Sequence, residues 1–401
     1  MEEFDLITEI NELKNQLAHA RNLGFLLGAG TSCALKLPDI HQLTSLVQVK
    51  LHSKHKVVFE TLKSEIEMRS SKGQGVEGSS AVNIEDVLNL ARSIRDITEG
   101  KIDRAYLDVN GEVASELDKE ICKAIYEVIT EREEKADLST TEKFFVWMDL
   151  LSRDFTKEVF TTNYDLIFEK ALEAKKIPYF DGFVGAHEPF FFQESVENMD
   201  TRETPPTSWL RLWKLHGSLS WFFKGGRASD SNQIVRIGKV ISTPDIFDRL
   251  VIYPSREKYD LSRRQPFLAY FDRFRDFLQR GELLFMISGF SFSDQHVNDV
   301  LLSGLRQNNR LFCVAFCYQD DEVKKLESIL RSQLNFTVFG PSMAILNGRL
   351  GNWKVEDTGD IDTSLFWDQG TSRLKIGDFV KLVDFLIASS GKQARINEIL
   401  N

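Results

Sequence analysis

The chain has 401 residues, of which 42% are hydrophobic and 27% are charged, the composition of a globular protein with a sizeable core. Its net charge of -10 at pH 7 argues against a broad electrostatic grip on nucleic acid, but it leaves a local basic face open. The arginines of that face are Arg263, Arg264, Arg273 and Arg275. The N-terminal segment carries many charged residues, which argues against a signal peptide. No apolar run approaches the ~20 residues that a membrane span needs. We therefore expect a soluble, cytoplasmic protein with no membrane contact.

The first part of the chain predicts one strand among many helices. Apolar residues recur at helical spacing from Phe4 to Leu17, which predicts an amphipathic helix. The apolar run 23–27 leads directly into glycines and predicts a buried strand followed by a turn. From residue 43 to 150 the pattern is mostly helical, with Asn83 as the N-cap of one apolar stripe. We interpret 43–150 as a helical insertion, in which the glycine- and serine-rich segment from Arg69 to Ser80 forms a mobile loop.

Strand and helix patterns alternate after residue 150. The predicted strands are Glu158–Thr162, Leu210–Leu215, Leu250–Tyr253, Leu283–Ser288 and Leu311–Cys317. The predicted helices are Asp165–Lys175, Phe267–Arg280, Asp294–Arg306 and Asp320–Leu334. Such alternation with nearly all-apolar strands indicates an α/β fold, a Rossmann-like parallel sheet with helices on both faces. This domain should comprise 1–42 and 151–340, and the turn-rich remainder, 341–401, should form a small C-terminal module.

Two polar motifs follow predicted strands in the first half of this α/β domain. Gly28-Ala29-Gly30-Thr31-Ser32 follows the first strand, where glycines let the backbone approach a pyrophosphate. A tight strand-to-helix turn is an equal alternative, since Cys33 replaces the last glycine of a full dinucleotide motif. Thr161-Thr162-Asn163-Tyr164-Asp165 ends the next strand. Asn163 can orient a ribose hydroxyl or a water, whereas Asp165 alone can be the N-cap of the following helix.

Two further motifs have the same position relative to later strands. His216 leaves a strand just before Gly217, and its ordinary pKa near neutrality suits a general base. A structural, hydrogen-bonding histidine is the alternative. Ser288-Gly289-Phe290-Ser291-Phe292-Ser293-Asp294 offers small residues that could admit the adenosine half of a dinucleotide. Here the alternative is another strand-to-helix turn, capped by Ser293 or Asp294.

The order of these motifs, GAGTS, TTNYD, LHGS and SGFSFSD, resembles that of sirtuin-like domains. The resemblance covers roughly 20–35 and 155–320, and Lys36-Leu37-Pro38-Asp39 also resembles the family's short proline-containing segment. It implies an NAD-cleaving enzyme in which Asn163 positions the ribose or the attacking water and His216 is the base. Asp165 would contact the carboxamide of nicotinamide. The remaining implied cofactor contacts are Gly28, Ala29, Gly30, Thr31 and Ser32 at the phosphates and Gly289 and Ser291 at the adenosine end.

Two departures separate the chain from classical protein deacylases of that family. Those enzymes have TQN where this chain has TTN, and they carry four zinc cysteines. Here the four cysteines show no zinc spacing and are expected to be reduced thiols, so no zinc or other metal is expected. His52 and His55 are more typical of a solvated helix face than of a metal site. The cysteines are Cys33, Cys122, Cys313 and Cys317.

The closer resemblance is to zinc-less bacterial effectors of anti-phage defence. It implies an NAD hydrolase that depletes NAD, assembles as a homo-oligomer and works beside a HerA-type ATPase partner. The Phe-rich stretches Phe190–Phe192 and Phe267–Phe277 also suggest an interaction surface. Two alternatives stay open: an NAD-dependent protein deacylase, and a non-hydrolytic nucleotide-sensing or nuclease subunit of an ATPase complex, with direct nucleic-acid binding undecided.

Overall fold

A computed structural model describes residues 2–72, 82–98, 104–151, 156–197, 205–224, 233–238, 250–252, 265–355 and 362–400. The strands in these ranges are β1 (Glu2–Asp5), β2 (Asn22–Leu27), β3 (Glu158–Thr161), β4 (Tyr179–Phe180), β5 (Phe183–Val184), β6 (Phe190–Phe191), β7 (Leu210–Lys214), β8 (Gly217–Phe223), β9 (Ile234–Arg236), β10 (Leu250–Ile252), β11 (Leu283–Ser288), β12 (Leu311–Phe316), β13 (Phe336–Phe339), β14 (Met343–Leu346), β15 (Arg349–Lys354), β16 (Trp367–Asp368) and β17 (Arg373–Leu374). The helices are α1 (Leu6–His19), α2 (Ala29–Cys33), α3 (Ile40–Lys50), α4 (Ser53–Lys72), α5 (Ile84–Thr98), α6 (Gly111–Glu133), α7 (Ser139–Leu150), α8 (Ile167–Ala174), α9 (Glu194–Glu197), α10 (Phe267–Leu278), α11 (Gln295–Gln307), α12 (Asp320–Leu330), α13 (Phe379–Ser389) and α14 (Gln393–Leu400).

One large sheet organises the molecule. Its central strands run in the order β4, β7, β3, β2, β11, β12, β13, and every neighbouring pair among them is parallel. Strand β2 is buried along its whole length because it lies in the middle of this order. Phe25 contributes to the core shared with α5, α6 and α7, whereas Leu26 contributes to the core shared with α10, α11 and α12. The predicted Rossmann-like parallel sheet with helices on both faces is therefore confirmed.

The sheet extends beyond its parallel part at one edge. Strands β14 and β15 form an antiparallel hairpin on β13, and β1 then pairs with β15 in parallel. Residues Asn347 and Gly348 make its turn at positive φ values of 51° and 72°. This hairpin lies within the predicted C-terminal module, yet it continues the main sheet. The division of the chain into domains stays a prediction.

Several element predictions need correction. Phe4 lies in strand β1, and the first helix begins only at Leu6, because Asp5 caps it by accepting a bond from the Ile7 N–H (3.1 Å). The predicted loop from Arg69 overlaps the end of α4, which continues to Lys72, and 73–81 lie outside the described residues. The predicted strand at 250–253 is β10, but it belongs to a separate antiparallel sheet of order β10, β8, β9, β6, β5.

The helical insertion matches its prediction in secondary structure. Helices α3 to α7 occupy it, and Asn83 caps α5 by accepting bonds from the Glu85 (2.9 Å) and Asp86 (3.3 Å) N–H groups. Between α5 and α6, Arg92 and Asp118 form a buried ion pair at 3.0 Å. Side chains from α5, α6 and α7 contribute to the same core as β2.

The aromatic and basic residues around α10 lie inside the protein rather than on a surface. Phe267, Phe271, Phe274 and Phe277 are buried in the core on one face of the sheet, so these four rings fill the core and do not form an exposed aromatic patch. Arg273 is also buried, because it pairs with the buried Glu158 carboxylate of β3, and thus it belongs to no basic face. Arg275 pairs with Asp272 at 2.5 Å on the exposed side, and Arg263 and Arg264 lie outside the described residues.

Candidate functional site at the carboxyl edge of the sheet

The four sequence motifs meet at one edge of the large sheet. Strands β11, β2, β3 and β7 are consecutive neighbours and parallel, so their carboxyl ends lie side by side. Each strand is followed directly by one motif. In open α/β sheets, ligands bind in the crevice outside these strand ends.

Two glycine turns touch at the centre of this edge. The Gly28 N–H donates to the Ser288 carbonyl and the Gly30 N–H to the Gly289 carbonyl, both at 2.9 Å. A Cβ on Gly28 would lie 2.4 Å from the Gly289 oxygen. Gly289 has a φ of +65°, and a Cβ there would lie 2.5 Å from the Thr31 nitrogen. Only glycine permits this approach, after which the exposed Ala29 and Gly30 begin α2.

Asn163 lies beneath the first glycine turn. Its Nδ2 is within hydrogen-bond distance of the Gly28 carbonyl (3.1 Å), Thr31 Oγ1 (3.2 Å) and Ser32 Oγ (3.0 Å). The side chain is buried, and among the described residues its Oδ1 has no hydrogen-bond partner. A buried acceptor without a partner is costly, and a bound ligand or water would satisfy it.

The Asp165 carboxylate accepts two hydrogen bonds, one within its own motif and one from the first glycine turn. Its Oδ1 accepts a bond from the Ile167 N–H at 3.2 Å near the start of α8, as an N-cap would. Its Oδ2 accepts the Ser32 hydroxyl at 2.7 Å. The carboxylate therefore joins the TTNYD motif to the GAGTS motif, and it is buried at this junction.

His216 makes a side-chain contact that sequence reasoning did not predict. Its Nε2 lies 2.6 Å from Oδ2 of Asp294, and both side chains are largely buried. The other oxygen of Asp294 accepts the N–H groups of His296 (3.0 Å) and Val297 (3.4 Å), so the same carboxylate is the N-cap of α11. The sequence showed Asp294 only as a possible cap, because the fourth motif gives no sign of which strand end lies opposite.

The buried Lys214 stabilises the TTNYD motif. Lys214 donates to the Asp165 carbonyl and pairs with Glu169 Oε1 at 2.8 Å. Burial raises the pKa of Glu169 to about 7, although Lys214 opposes this shift. Neither residue was predicted as part of the site, since a lysine inside an apolar strand and a glutamate on the next helix carry no motif.

The remaining predicted contacts lie around the glycine turns. Thr31 donates its hydroxyl to the Gly28 carbonyl at 2.8 Å, which stabilises the turn. Ser291 is exposed and bonds to Ser293 at 3.1 Å. Ser288 is buried, and within the ranges that the structure describes its Oγ has no hydrogen-bond partner. The structure thus brings all ten predicted site residues to one edge of the sheet without testing their roles.

Metal-ligating residues do not gather at this edge. In the described part of the chain, no group of three or more histidine, cysteine, aspartate or glutamate residues could hold a metal ion. All four cysteines are free thiols, and burial raises the pKa of Cys33 to about 11. His55 contacts Glu116 at 3.4 Å on the insertion. Every helix within those ranges is too short or too polar to cross a lipid bilayer.

Comparison with known proteins finds one matching family model. Residues 157–338, less than half of the chain, match the model of the SIR2-like domain, and this match supports a sirtuin-like family. Among solved structures it is similar to a Sir2 homolog–NAD complex (13% identity, 84% of this chain and 90% of that chain, TM-score 0.40). It is also similar to a mutant Sir2 homologue with ADP ribose (13% identity, 76% and 83% of the two chains, TM-score 0.39). No curated protein matches the chain.

Proposed function

We propose that this protein binds NAD and hydrolyses its nicotinamide–ribose bond to give nicotinamide and ADP-ribose. The observation that carries the proposal is the buried Asn163 amide, whose Oδ1 has no hydrogen-bond partner among the described residues. It lies at a strand end beside a glycine turn suited to a pyrophosphate. The SIR2-like domain match adds the cofactor class, since similar solved structures contain NAD or ADP ribose.

The chemistry needs few groups. Nicotinamide leaves as a neutral molecule, so no general acid is required at the leaving group. The enzyme must hold the ribose, stabilise an oxocarbenium-like state and deliver water. Asn163 Oδ1 would accept a hydrogen bond from that water or from a ribose hydroxyl, and His216 would take the proton of the water, a step worth ~10²–10⁴-fold in rate.

The other predicted contacts complete this pose. The exposed Ala29 and Gly30 at the start of α2 would face the phosphates, with Gly28, Thr31 and Ser32 shaping the turn, and Gly289 and Ser291 would line the adenosine end. Asp165 would face the carboxamide of nicotinamide from its position beside Ser32. Water is the proposed acceptor because the four cysteines lack the zinc spacing of the deacylase module.

We further propose that the protein is an NAD-depleting effector of anti-phage defence, gated by an ATPase partner of the HerA type. An ungated NAD hydrolase would harm its own cell, so a gate is expected. A physical link to the insertion supports such gating. Glu133, at the end of α6, accepts a bond from the Leu166 N–H at 2.7 Å, directly after Asp165, and pairs with Lys170. A partner that moves α6 would therefore reach the TTNYD motif.

Chromatography of NAD incubated with the purified protein, alone and with a co-expressed ATPase, tests the activity. Asn163→Ala and His216→Ala should both abolish nicotinamide release. Asn22→Ala is a matched control for the first, because Asn22 is equally buried and bonds to the Arg280 and Glu282 carbonyls at the opposite end of β2. His55→Ala controls for the second, since that histidine is also mostly buried. Both controls should keep turnover per folded molecule.

Three results would contradict the hydrolase proposal. Intact NAD after hours with protein and partner would exclude turnover and leave a nucleotide-sensing role. O-acyl-ADP-ribose formed from an acylated peptide would indicate a deacylase. Cleavage of added DNA or RNA that depends on a divalent metal would indicate a nuclease subunit.

Assembly is tested separately. We propose a homo-oligomer with closed symmetry, supported by exposed apolar residues on the insertion, among them Val49 (77% exposed), Val57 (68%) and Ile97 (64%). Light scattering at micromolar concentration should give a multiple of 46.0 kDa. A monomeric mass would refute this part alone.

A further inference from the structure

The contact between His216 and Asp294 bridges two separate parts of the site. His216 follows β7, whereas Asp294 follows the glycine turn after β11, and β2 and β3 lie between these strands. Nε2 and Oδ2 nevertheless approach to 2.6 Å, slightly closer than the ~2.7–2.9 Å of a charge-assisted N–H···O hydrogen bond.

The carboxylate is itself fixed in place. Its Oδ1 receives two backbone N–H groups at the start of α11, so Oδ2 is aimed at His216 by the helix. One turn later, Asn298 donates its Nδ2 to the Phe292 carbonyl at 2.7 Å and holds the preceding loop on the helix. Phe292 and Gly289 adopt positive φ values of 56° and 65°, which define the loop's path. The position of Asp294 is therefore set by the fold rather than by its own flexibility.

We propose that Asp294 is the positioning residue of the catalytic histidine, an inference that rests on the proposed NAD hydrolysis. Asp294 keeps the proton of His216 on Nε2, so the lone pair that accepts a proton from water is on Nδ1. When Nδ1 takes that proton, the bond between the oxygen and hydrogen of water breaks and a new carbon–oxygen bond forms on the ribose. The electrons of the carbon–nitrogen bond leave with nicotinamide. Asp294 stays ionised and stabilises the imidazolium.

This arrangement also ties the adenosine half of the site to the catalytic half. The loop from Gly289 to Ser293 is the proposed adenosine contact, and Asp294 directly continues it. A nucleotide bound at this loop would therefore contact the same segment that positions the histidine.

Kinetics of Asp294→Asn provide the test, because asparagine is as good an N-cap as aspartate but carries no charge. The kcat for nicotinamide release should fall by roughly ten- to a hundredfold, with KM nearly unchanged, which is less than the ~10²–10⁴-fold expected on loss of the base itself. Asp299→Asn is the matched control. It removes the same charge from an exposed position on the same helix, where the carboxylate bonds only to Gln295 among the contacts described, and kcat should not change. If Asp294→Asn fails to fold, Asp294→Ser keeps a capping oxygen and replaces it.

A nitrogen-15 spectrum of protein labelled at its seven histidines gives a readout that does not depend on activity. The His216 signal, assigned by its loss in His216→Ala, should show the Nε2–H tautomer in the wild type and a different ratio in Asp294→Asn. An Nδ1–H tautomer in the wild type, or full kcat in Asp294→Asn, would overturn the proposal. An increased kcat would also overturn it and would show that Asp294 restrains the histidine. Failure of the wild type to cleave NAD refutes the proposed function, while the spectrum still tests the pair.

Discussion

Substitution of Gly289 by alanine should be far more damaging than the same substitution at another left-handed glycine. Gly289 and Gly281 have nearly the same φ, +65° and +70°, so alanine pays the left-handed backbone cost of about 1–2 kcal/mol at both sites. At Gly281 no atom of the described residues lies within 4 Å of the new Cβ, whereas at Gly289 the new Cβ would lie 2.5 Å from the Thr31 nitrogen. This backbone overlap should add about 1–3 kcal/mol, the usual cost of overpacking.

Urea unfolding of the wild type and both variants measures this difference. Gly281→Ala should lower the free energy of unfolding by about 1–2 kcal/mol and keep NAD turnover, because it precedes β11 at the far edge of the sheet. Gly289→Ala should lose about 2–5 kcal/mol and bind NAD more weakly, since Thr31 and its turn must move. Gly391→Ala, at φ +65° with open space around it, is a second control. Equal losses at Gly289 and Gly281 would refute the close contact of the two glycine turns.

Further predictions concern charge, coupling and metal. Burial raises the pKa of Glu169 to about 7, so the folded state holds its proton more tightly than the unfolded state. The stability that this proton contributes is fully present below about pH 4.5 and is lost as the pH rises through about 7. The wild type should therefore lose stability relative to Glu169→Gln between these two pH values. Thermal midpoints of the two proteins that change in parallel with pH would contradict this prediction. Glu133→Ala should lower stability by about 1–3 kcal/mol by leaving the half-buried Leu166 N–H without its acceptor, and Glu133→Gln, which can still accept that bond, should lose less in the same unfolding assay. Chelators should change neither the thermal midpoint nor NAD cleavage; stoichiometric zinc that is lost together with activity would refute the metal-free site.

The parallel core of the fold was predictable because its strands are nearly all apolar. The predicted strand Leu283–Ser288 matches β11 in full. Each motif follows the carboxyl end of a strand, and parallel pairing brings these ends to the same edge of the sheet. Short or amphipathic strands were missed. No strand was predicted over Gly217–Phe223, yet this segment forms β8, which pairs with β9 and β10 in a separate antiparallel sheet.

The site was predictable as a set of positions but not as a network. Asn163 and His216 were identified by their motifs, and the structure places both at the expected edge. The Asp294 contact could not be predicted, since it depends on how far β7 and β11 lie apart across two intervening strands. Likewise, Arg273 seemed to be a surface charge because no local pattern shows that Glu158, more than a hundred positions earlier, needs a buried partner.

The position of β2 in the sheet determines when its strand pairs can form during synthesis. This fully buried strand lies between β3 and β11, and Asn22 at its start bonds to the Glu282 carbonyl, 260 residues further along the chain. Pairing over such separations is slow, whereas the local contacts of α5 and α6 can form early. While the ribosome is making the second half, β2 can pair with β3 but not yet with β11, so its other edge stays without its final partner until residue 288 has emerged. Both halves of the proposed NAD site meet only after residue 294 has emerged, so a truncated translation product would lack the complete site and could not deplete NAD.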